Sequence, residues 1–88
     1  MNLKPNQIDS ITATFEKDRE NMIGVVRCTG ITIEASDADP SNVMSDQDEV
    51  YNALADIEYF TEEDGWQEDA ASDVAGRAGV SDSIVMVE

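Results

Sequence analysis

Apolar and polar residues alternate near the start of the chain. Every second residue from Ile11 to Phe15 is apolar, which is the period of a strand with one buried face and predicts a strand over Ser10–Glu16. The spacing of Ile8, Ile11 and Phe15 leaves a helix over residues 6–18 open as the alternative, because three- and four-residue steps also place side chains on one helical face. The strict alternation favours the strand.

Two further apolar runs follow a polar segment. Lys17–Asn21 is typical of a turn, and the run Met22–Cys28 is apolar on both faces, as in a strand with a neighbour on each side. Thr29 and Gly30 separate it from a third run, Ile31–Ala35, and a glycine there could adopt the positive φ of a tight turn. The first 36 residues therefore predict a meander of three short antiparallel strands.

Helical spacing begins after a loop over Ser36–Met44. A helix is predicted over Asp46–Phe60 with Ser45 as its N-cap, and a second helix over Trp66–Ala75, ended by Gly76 and Gly79. The apolar stripes that would face the core consist of Val50, Leu54 and Ile57 on the first helix and of Trp66, Ala70 and Val74 on the second.

The last apolar run, Ser83–Val87, predicts a buried strand that joins the meander. Eighty-eight residues fit one domain, residues 1–88, with about two layers of secondary structure. The expected fold class is α+β: a small antiparallel sheet, made of the three-strand meander and the C-terminal strand, with two acidic helices packed on one face.

Charge changes this picture more than any motif does. The net charge is −15, and the segment from Cys28 to Gly76 holds fourteen aspartates and glutamates but no lysine, arginine or histidine. Like charges raise the free energy of a compact state, so a surface of one sign on this scale indicates a partner that needs it or an environment that tolerates it. The apolar fraction of 41% is ordinary for a globular protein and predicts a folded chain despite the charge.

Composition also excludes several classes of protein. Acidity disfavours direct binding to nucleic acid or to an anionic membrane, so a partner selected by charge is basic. One cysteine, Cys28, and no histidine cannot form an internal disulfide or a zinc site with nitrogen and sulfur ligands. We expect no enzyme activity, no cofactor and no metal, and the absence of a leader-like or membrane-spanning apolar run predicts a cytoplasmic protein.

The run Asp37–Asp48 leaves a calcium loop open as a minor alternative. Oxygen ligands stand at loop positions 1, 3, 5 and 12, but the sixth position is Asn42 instead of glycine and the twelfth is aspartate instead of glutamate. These departures favour a loop whose acids cap the following helix.

The acidic helices are the candidate partner-binding surface. Side chains four residues apart on a helix are about 6 Å apart along its axis, so rows of carboxylates repeat negative charge at a spacing of the same order as backbone phosphates. Phe60 and Trp66 are expected in the core, whereas two tyrosines could anchor a partner. The candidate residues are Asp48, Glu49, Asp56, Glu58, Glu62, Glu63, Asp64, Glu68 and Asp69, with Tyr51 and Tyr59 as the anchors.

In size, charge density and strand-then-acidic-helix order, the chain resembles the acidic nucleic-acid-mimic inhibitors, which include phage anti-CRISPR and anti-restriction proteins and uracil-glycosylase inhibitors. The resemblance rests on no shared motif and transfers no residue role. It implies a protein that blocks the basic nucleic-acid-binding site of a partner protein or nucleoprotein complex, in the host cytoplasm if a phage encodes it. The alternative is a small halophile-adapted, phage or regulatory adaptor domain whose acidity serves solubility.

Overall fold

The two longest strands of the sheet lie side by side at its centre. The computed structural model describes residues 1–17 and 24–88. Its elements are β1 (Ser10–Lys17), β2 (Val25–Glu34), α1 (Pro40–Leu54), β3 (Tyr59–Phe60), α2 (Trp66–Ala78) and β4 (Val85–Val87), with short 3-10 turns at Pro5–Gln7 and Asp82–Ile84. The α+β class predicted from the sequence is confirmed.

The sheet is mixed, and its strand order is β3-β2-β1-β4. β1 pairs antiparallel with β2, and β2 pairs antiparallel with β3, but β4 runs parallel to β1 with Ile11 opposite Val85. The expectation of a wholly antiparallel sheet is therefore wrong. The physical reason is the position of α2, which carries the chain back along the sheet before β4 so that the last strand enters in the direction of β1.

One core joins the inward face of the sheet to both helices. Ile11 and Ala13 of β1 are fully buried, and so are Val50 of α1 and Val74 of α2. These four residues belong to a single cluster with the buried residues Leu3, Ile8, Cys28, Ile31, Ile33, Leu54 and Ala78. Burial of the two helical stripes against the sheet is the main stabilising term that a chain of this size can provide.

The predicted hairpin at Thr29 and Gly30 does not exist, because β2 is one continuous strand. Gly30 pairs with Thr14 and Cys28 pairs with Phe15, so the register shifts by one residue and Thr29 is the extra residue of a β-bulge. Gly30 is not among the glycines with positive φ. A bulge and a tight turn both interrupt the alternation of apolar residues, which is why the sequence pattern was misinterpreted here.

The predicted strand over Ser10–Glu16 is confirmed, and the helical alternative for residues 6–18 is wrong for Ser10–Lys17. Helical geometry in this region is confined to the turn Pro5–Gln7. Except for Lys17 itself, the predicted turn Lys17–Asn21 lies outside the described residues, and so do the first two residues of the predicted run Met22–Cys28.

Helix α1 begins and ends earlier than the sequence pattern predicts. Its N-cap is Asp39, whose carboxylate accepts hydrogen bonds from the backbone N–H and the hydroxyl of Ser41, and Pro40 occupies the first helical turn. These hydrogen bonds lower the pKa of Asp39. The prediction of Ser45 as N-cap and of a helix over Asp46–Phe60 is wrong, because a better cap and a proline precede it.

The other boundaries shift by a few residues. Gly76 lies inside α2, which ends at Gly79 in the left-handed conformation at φ 75° with Arg77 in its last turn. The final strand is shorter than predicted, because Asp82–Ile84 forms a turn before β4. The expectation of a buried strand is also wrong, because β4 lies at the sheet edge and Met86 is exposed.

Asp46 is the one buried charged side chain among the described residues, with 1% of its surface exposed. Its two carboxylate oxygens accept hydrogen bonds from the backbone N–H groups of Asn2 and Leu3, at 2.8 and 2.7 Å. These bonds hold Leu3 in the core beside α1. The sequence carried a signal of this role, since Asp46 stands four residues before Val50, on the apolar stripe.

We predict that Asp46→Ala lowers the free energy of unfolding by about 2 to 4 kcal/mol, because it removes a charged acceptor and leaves a buried N–H group without a partner. The exposed Asp48 on the same helix is the matched control, and Asp48→Ala should change stability by less than about 0.5 kcal/mol. Urea unfolding of the two variants measures the difference. Equal stabilities would contradict this role for Asp46.

A pair of glycine variants tests the bulge. An added Cβ at Gly30 would meet no heavy atom within 4 Å, and its φ is not positive, so Gly30→Ala should leave stability unchanged or raise it by up to about 1 kcal/mol. Gly79→Ala should cost about 1 to 2 kcal/mol, because φ at that position is 75°. Thermal and urea unfolding distinguish the two. A large loss at Gly30 would favour a tight turn instead.

Candidate acidic interface

The predicted partner-binding acids lie on four successive parts of the chain. Asp48 and Glu49 are on α1, and Asp56 and Glu58 are in the connection to β3. Glu62, Glu63 and Asp64 lie between β3 and α2, and Glu68 and Asp69 lie in the first turn of α2. Eight of the nine side chains are exposed and Glu49 is half-buried. The single acidic helix expected over Asp46–Phe60 is therefore divided between a helix, a connection and a strand.

Some of these acids converge and others do not. Glu58, Glu63 and Asp69 line one groove of about 460 Å³ between β3 and α2, together with Tyr59, Phe60, Trp66, Ser72 and Asp73. We call these eight residues the β3–α2 groove. Asp48 and Tyr51 line a separate, smaller groove of about 240 Å³ beside β2. Six of the eleven predicted residues thus line these two grooves, and Glu68 lines another groove between α2 and β4.

Asp73 is the acid of the β3–α2 groove that the sequence interpretation left out of the interface. It stands four residues after Asp69 on α2, so the two carboxylates are neighbours on one face of the helix. This spacing was visible in the sequence. What the sequence did not reveal is that β3 lies opposite this face of the helix.

Tyr59 is a core residue whose hydroxyl reaches the groove. Only 7% of its surface is exposed, and its hydroxyl donates a 2.5 Å hydrogen bond to Oδ2 of Asp73. Its ring packs edge-on against Phe15, with centroids 5.4 Å apart, and lies 6.4 Å from the ring of Trp66. Tyr59 therefore fixes the position of Asp73. Tyr51, the other predicted anchor, lies on α1 and is half-buried.

Phe60 points the other way. Half of its surface is exposed, although the sequence analysis assigned it to the core. Strand geometry explains the difference, because consecutive side chains of β3 lie on opposite faces, so burial of Tyr59 exposes Phe60. Trp66 packs partly buried against the second core cluster, formed by Val26, Tyr59 and Ala70.

Within the described parts of the chain, two of the interface acids are already paired. Glu58 lies 3.3 Å from the guanidinium of Arg27, which directly precedes the segment without basic residues. Glu49 lies 3.4 Å from the amino group of Met1. Both pairs are at least partly exposed, so they contribute little to stability but reduce the negative potential at these two positions.

The boundaries of α1 argue against the calcium-loop alternative. From Pro40 onward the run Asp37–Asp48 is helical, so its side chains cannot wrap around one ion as a loop does. No three of the described cysteine, aspartate and glutamate side chains come close enough together to hold a metal ion. Cys28 is buried, and burial raises the pKa of its thiol, which disfavours the reactive thiolate. None of the helices in the described ranges is long and apolar enough to cross a membrane.

Fold and site together define a small α+β domain with a mixed four-stranded sheet and an acidic, partly aromatic groove at one sheet edge. Comparisons of the chain with protein-family models, with curated proteins and with solved structures give no match.

The Tyr59 hydroxyl makes the stability of the folded protein depend on pH. Burial, the hydrogen bond to Asp73 and the neighbouring negative charges raise the pKa of Tyr59 well above its ordinary value near 10. The unfolded chain ionises this tyrosine first, so its contribution to stability is complete below about pH 9 and declines as the pH rises through 10 and beyond.

We therefore predict that the free energy of unfolding falls less steeply above about pH 10 in Tyr59→Phe than in the unsubstituted protein. Tyr51→Phe is the matched control and should keep the original slope. Urea unfolding at a series of alkaline pH values gives the slopes. Identical slopes in all three proteins would show that folding does not hinder ionisation of the Tyr59 hydroxyl.

Proposed function

We propose that the protein binds the basic nucleic-acid-binding site of a partner protein and excludes its DNA or RNA. The observation that carries the proposal is the concentration of exposed carboxylates from Asp56 to Asp73 around a concave surface. Concave sites lined by one sign of charge focus the electrostatic field and attract the opposite sign.

The partner class follows from charge. A surface with a formal net charge of −15 repels phosphates and attracts clusters of lysine and arginine, which in nucleic-acid-binding proteins contact the phosphate backbone. Carboxylates can replace phosphates in such contacts, because both accept charge-assisted hydrogen bonds from the same donors. A direct complex with nucleic acid or an anionic membrane is disfavoured for the same reason.

The arrangement of the acids favours binding over solubility alone. A charge needed only for hydration is best spread out, since clustering raises repulsion within the folded protein. Glu63, Asp69 and Asp73 instead line the same groove as an exposed phenylalanine, Phe60. Apolar surface beside complementary charge is typical of the contact region of a protein interface.

The experiment is a displacement assay. Capture from lysate at low salt, with release at high salt, selects candidate partners, and each purified nucleic-acid-binding candidate is loaded with its fluorescently labelled DNA or RNA. We predict that the protein displaces the labelled strand with a potency that falls as salt rises, because exposed charges are screened. Fluorescence anisotropy follows the displacement. A partner that keeps its nucleic acid while carrying the protein would overturn the proposal.

Two charge-reversal variants locate the surface. Glu62→Lys, Glu63→Lys and Glu68→Lys together should slow association and weaken displacement at least tenfold, since charges near an interface steer the encounter. The matched control reverses three exposed acids elsewhere, Asp9, Glu16 and Glu34, and should retain displacement to within about threefold. Equal loss in both triple variants would show that only total charge matters. That result, together with loss of circular dichroism at low ionic strength, would favour the halophile-adapted alternative.

A further inference from the structure

We infer that the β3–α2 groove is the receptor for an arginine side chain of the partner, which stacks on Phe60 while its guanidinium pairs with the surrounding carboxylates. This inference rests on the proposed function, because it names the residue type on the partner that the acidic surface recognises. It goes beyond charge attraction, since it assigns a position and a chemical preference within that surface.

The groove is built on rigid parts of the fold. Tyr59 pairs with Val26 through β3 and packs against Phe15, so the backbone that carries Phe60 is fixed to the sheet. Trp66 begins α2 and lies 5.8 Å from Phe15, ring centroid to centroid, nearly perpendicular to it. Exposure of Phe60 therefore follows from the pairing of β3 at the sheet edge.

Aromatic and acidic groups occupy the same concave surface. Phe60 and Trp66 line the groove together with four acids, Glu58, Glu63, Asp69 and Asp73, within a volume of about 460 Å³. Glu58 shares its charge with Arg27 at 3.3 Å, and Asp73 accepts the Tyr59 hydroxyl through one oxygen. A carboxylate has about four acceptor positions, so Asp73 retains capacity for an incoming donor.

This combination favours arginine among cationic ligands. A guanidinium is planar, stacks on aromatic rings, and presents a fork of N–H donors that fits carboxylates, whereas a lysine ammonium is a compact and strongly hydrated point charge. A metal ion fits poorly, because the acids of the described residues are not grouped in threes close enough to coordinate one ion. The carboxylates of the groove therefore favour a cation, and Phe60 and Trp66 favour a planar one.

The chain provides its own probe for a test. Trp66 is the single tryptophan of the protein and lines the groove. We propose to titrate the intact protein with two short glycine-spaced peptides of equal charge, one with arginines and one with lysines, and to follow Trp66 fluorescence. The arginine peptide should bind at least about fivefold more tightly than the lysine peptide at the same salt concentration.

Variants assign the preference to the groove. Phe60→Leu keeps an apolar side chain on β3 but removes the ring, and it should reduce the arginine preference to less than about twofold while leaving lysine-peptide binding unchanged. Asp69→Asn should weaken both peptides. The matched control is Met86→Ala, which alters another exposed apolar residue, 54% accessible on β4, and should keep the full preference.

The outcomes separate this inference from the proposed function. Equal affinities for the two peptides, or an arginine preference that persists in Phe60→Leu, would overturn the arginine receptor, even if displacement of nucleic acid from the partner still occurs. A fivefold preference that Phe60→Leu abolishes supports the receptor, even if the displacement assay fails. The peptide titration needs no partner, so the two results are independent.

Discussion

The balance between a small core and fifteen units of net negative charge governs this fold. The described acids lie at the surface with one exception, Asp46, and that carboxylate is tolerated because backbone N–H groups occupy both of its oxygens. A buried charge is expensive unless hydrogen bonds replace its water. Here the cost serves a purpose, since the same hydrogen bonds attach the start of the chain to α1 and complete the core around Leu3.

Periodicity was sufficient to predict the α+β class, the first strand and the apolar stripe of α2. For α1 it predicted Val50 and Leu54 correctly, but Ile57 lies in the connection after the helix. It failed at the bulge, because Thr29 breaks the alternation as a turn would. It also failed at the start of α1, because Asp39 and Pro40 begin the helix six residues before the predicted start at Asp46. The parallel direction of β4 could not be predicted either, because strand order depends on how the two helices pack and not on local sequence.

The candidate interface could likewise be predicted only in part from the sequence. Exposure of eight of the nine predicted acids agrees with their polar sequence context. Their grouping could not be foreseen, because it depends on the pairing of β3 with Val25 and Val26, which brings Tyr59 opposite α2 and leaves Phe60 exposed. The two-residue strand carried no periodic signal of its own. It nevertheless decides which acids meet, which tyrosine is buried, and which aromatic ring contacts solvent.

The edges of the sheet affect whether copies of the protein associate with one another. The outer strands span only two and three residues, and the side chain of Gln47 occupies the N–H of Ile33 on β2 at 2.8 Å. The outer strands therefore offer only short backbone edges, and Gln47 occupies one N–H of the longer β2, which limits the backbone that could template another chain. Because each molecule also repels its own kind electrostatically, the protein can remain dispersed at high concentration while it stays attractive to any cationic surface it meets.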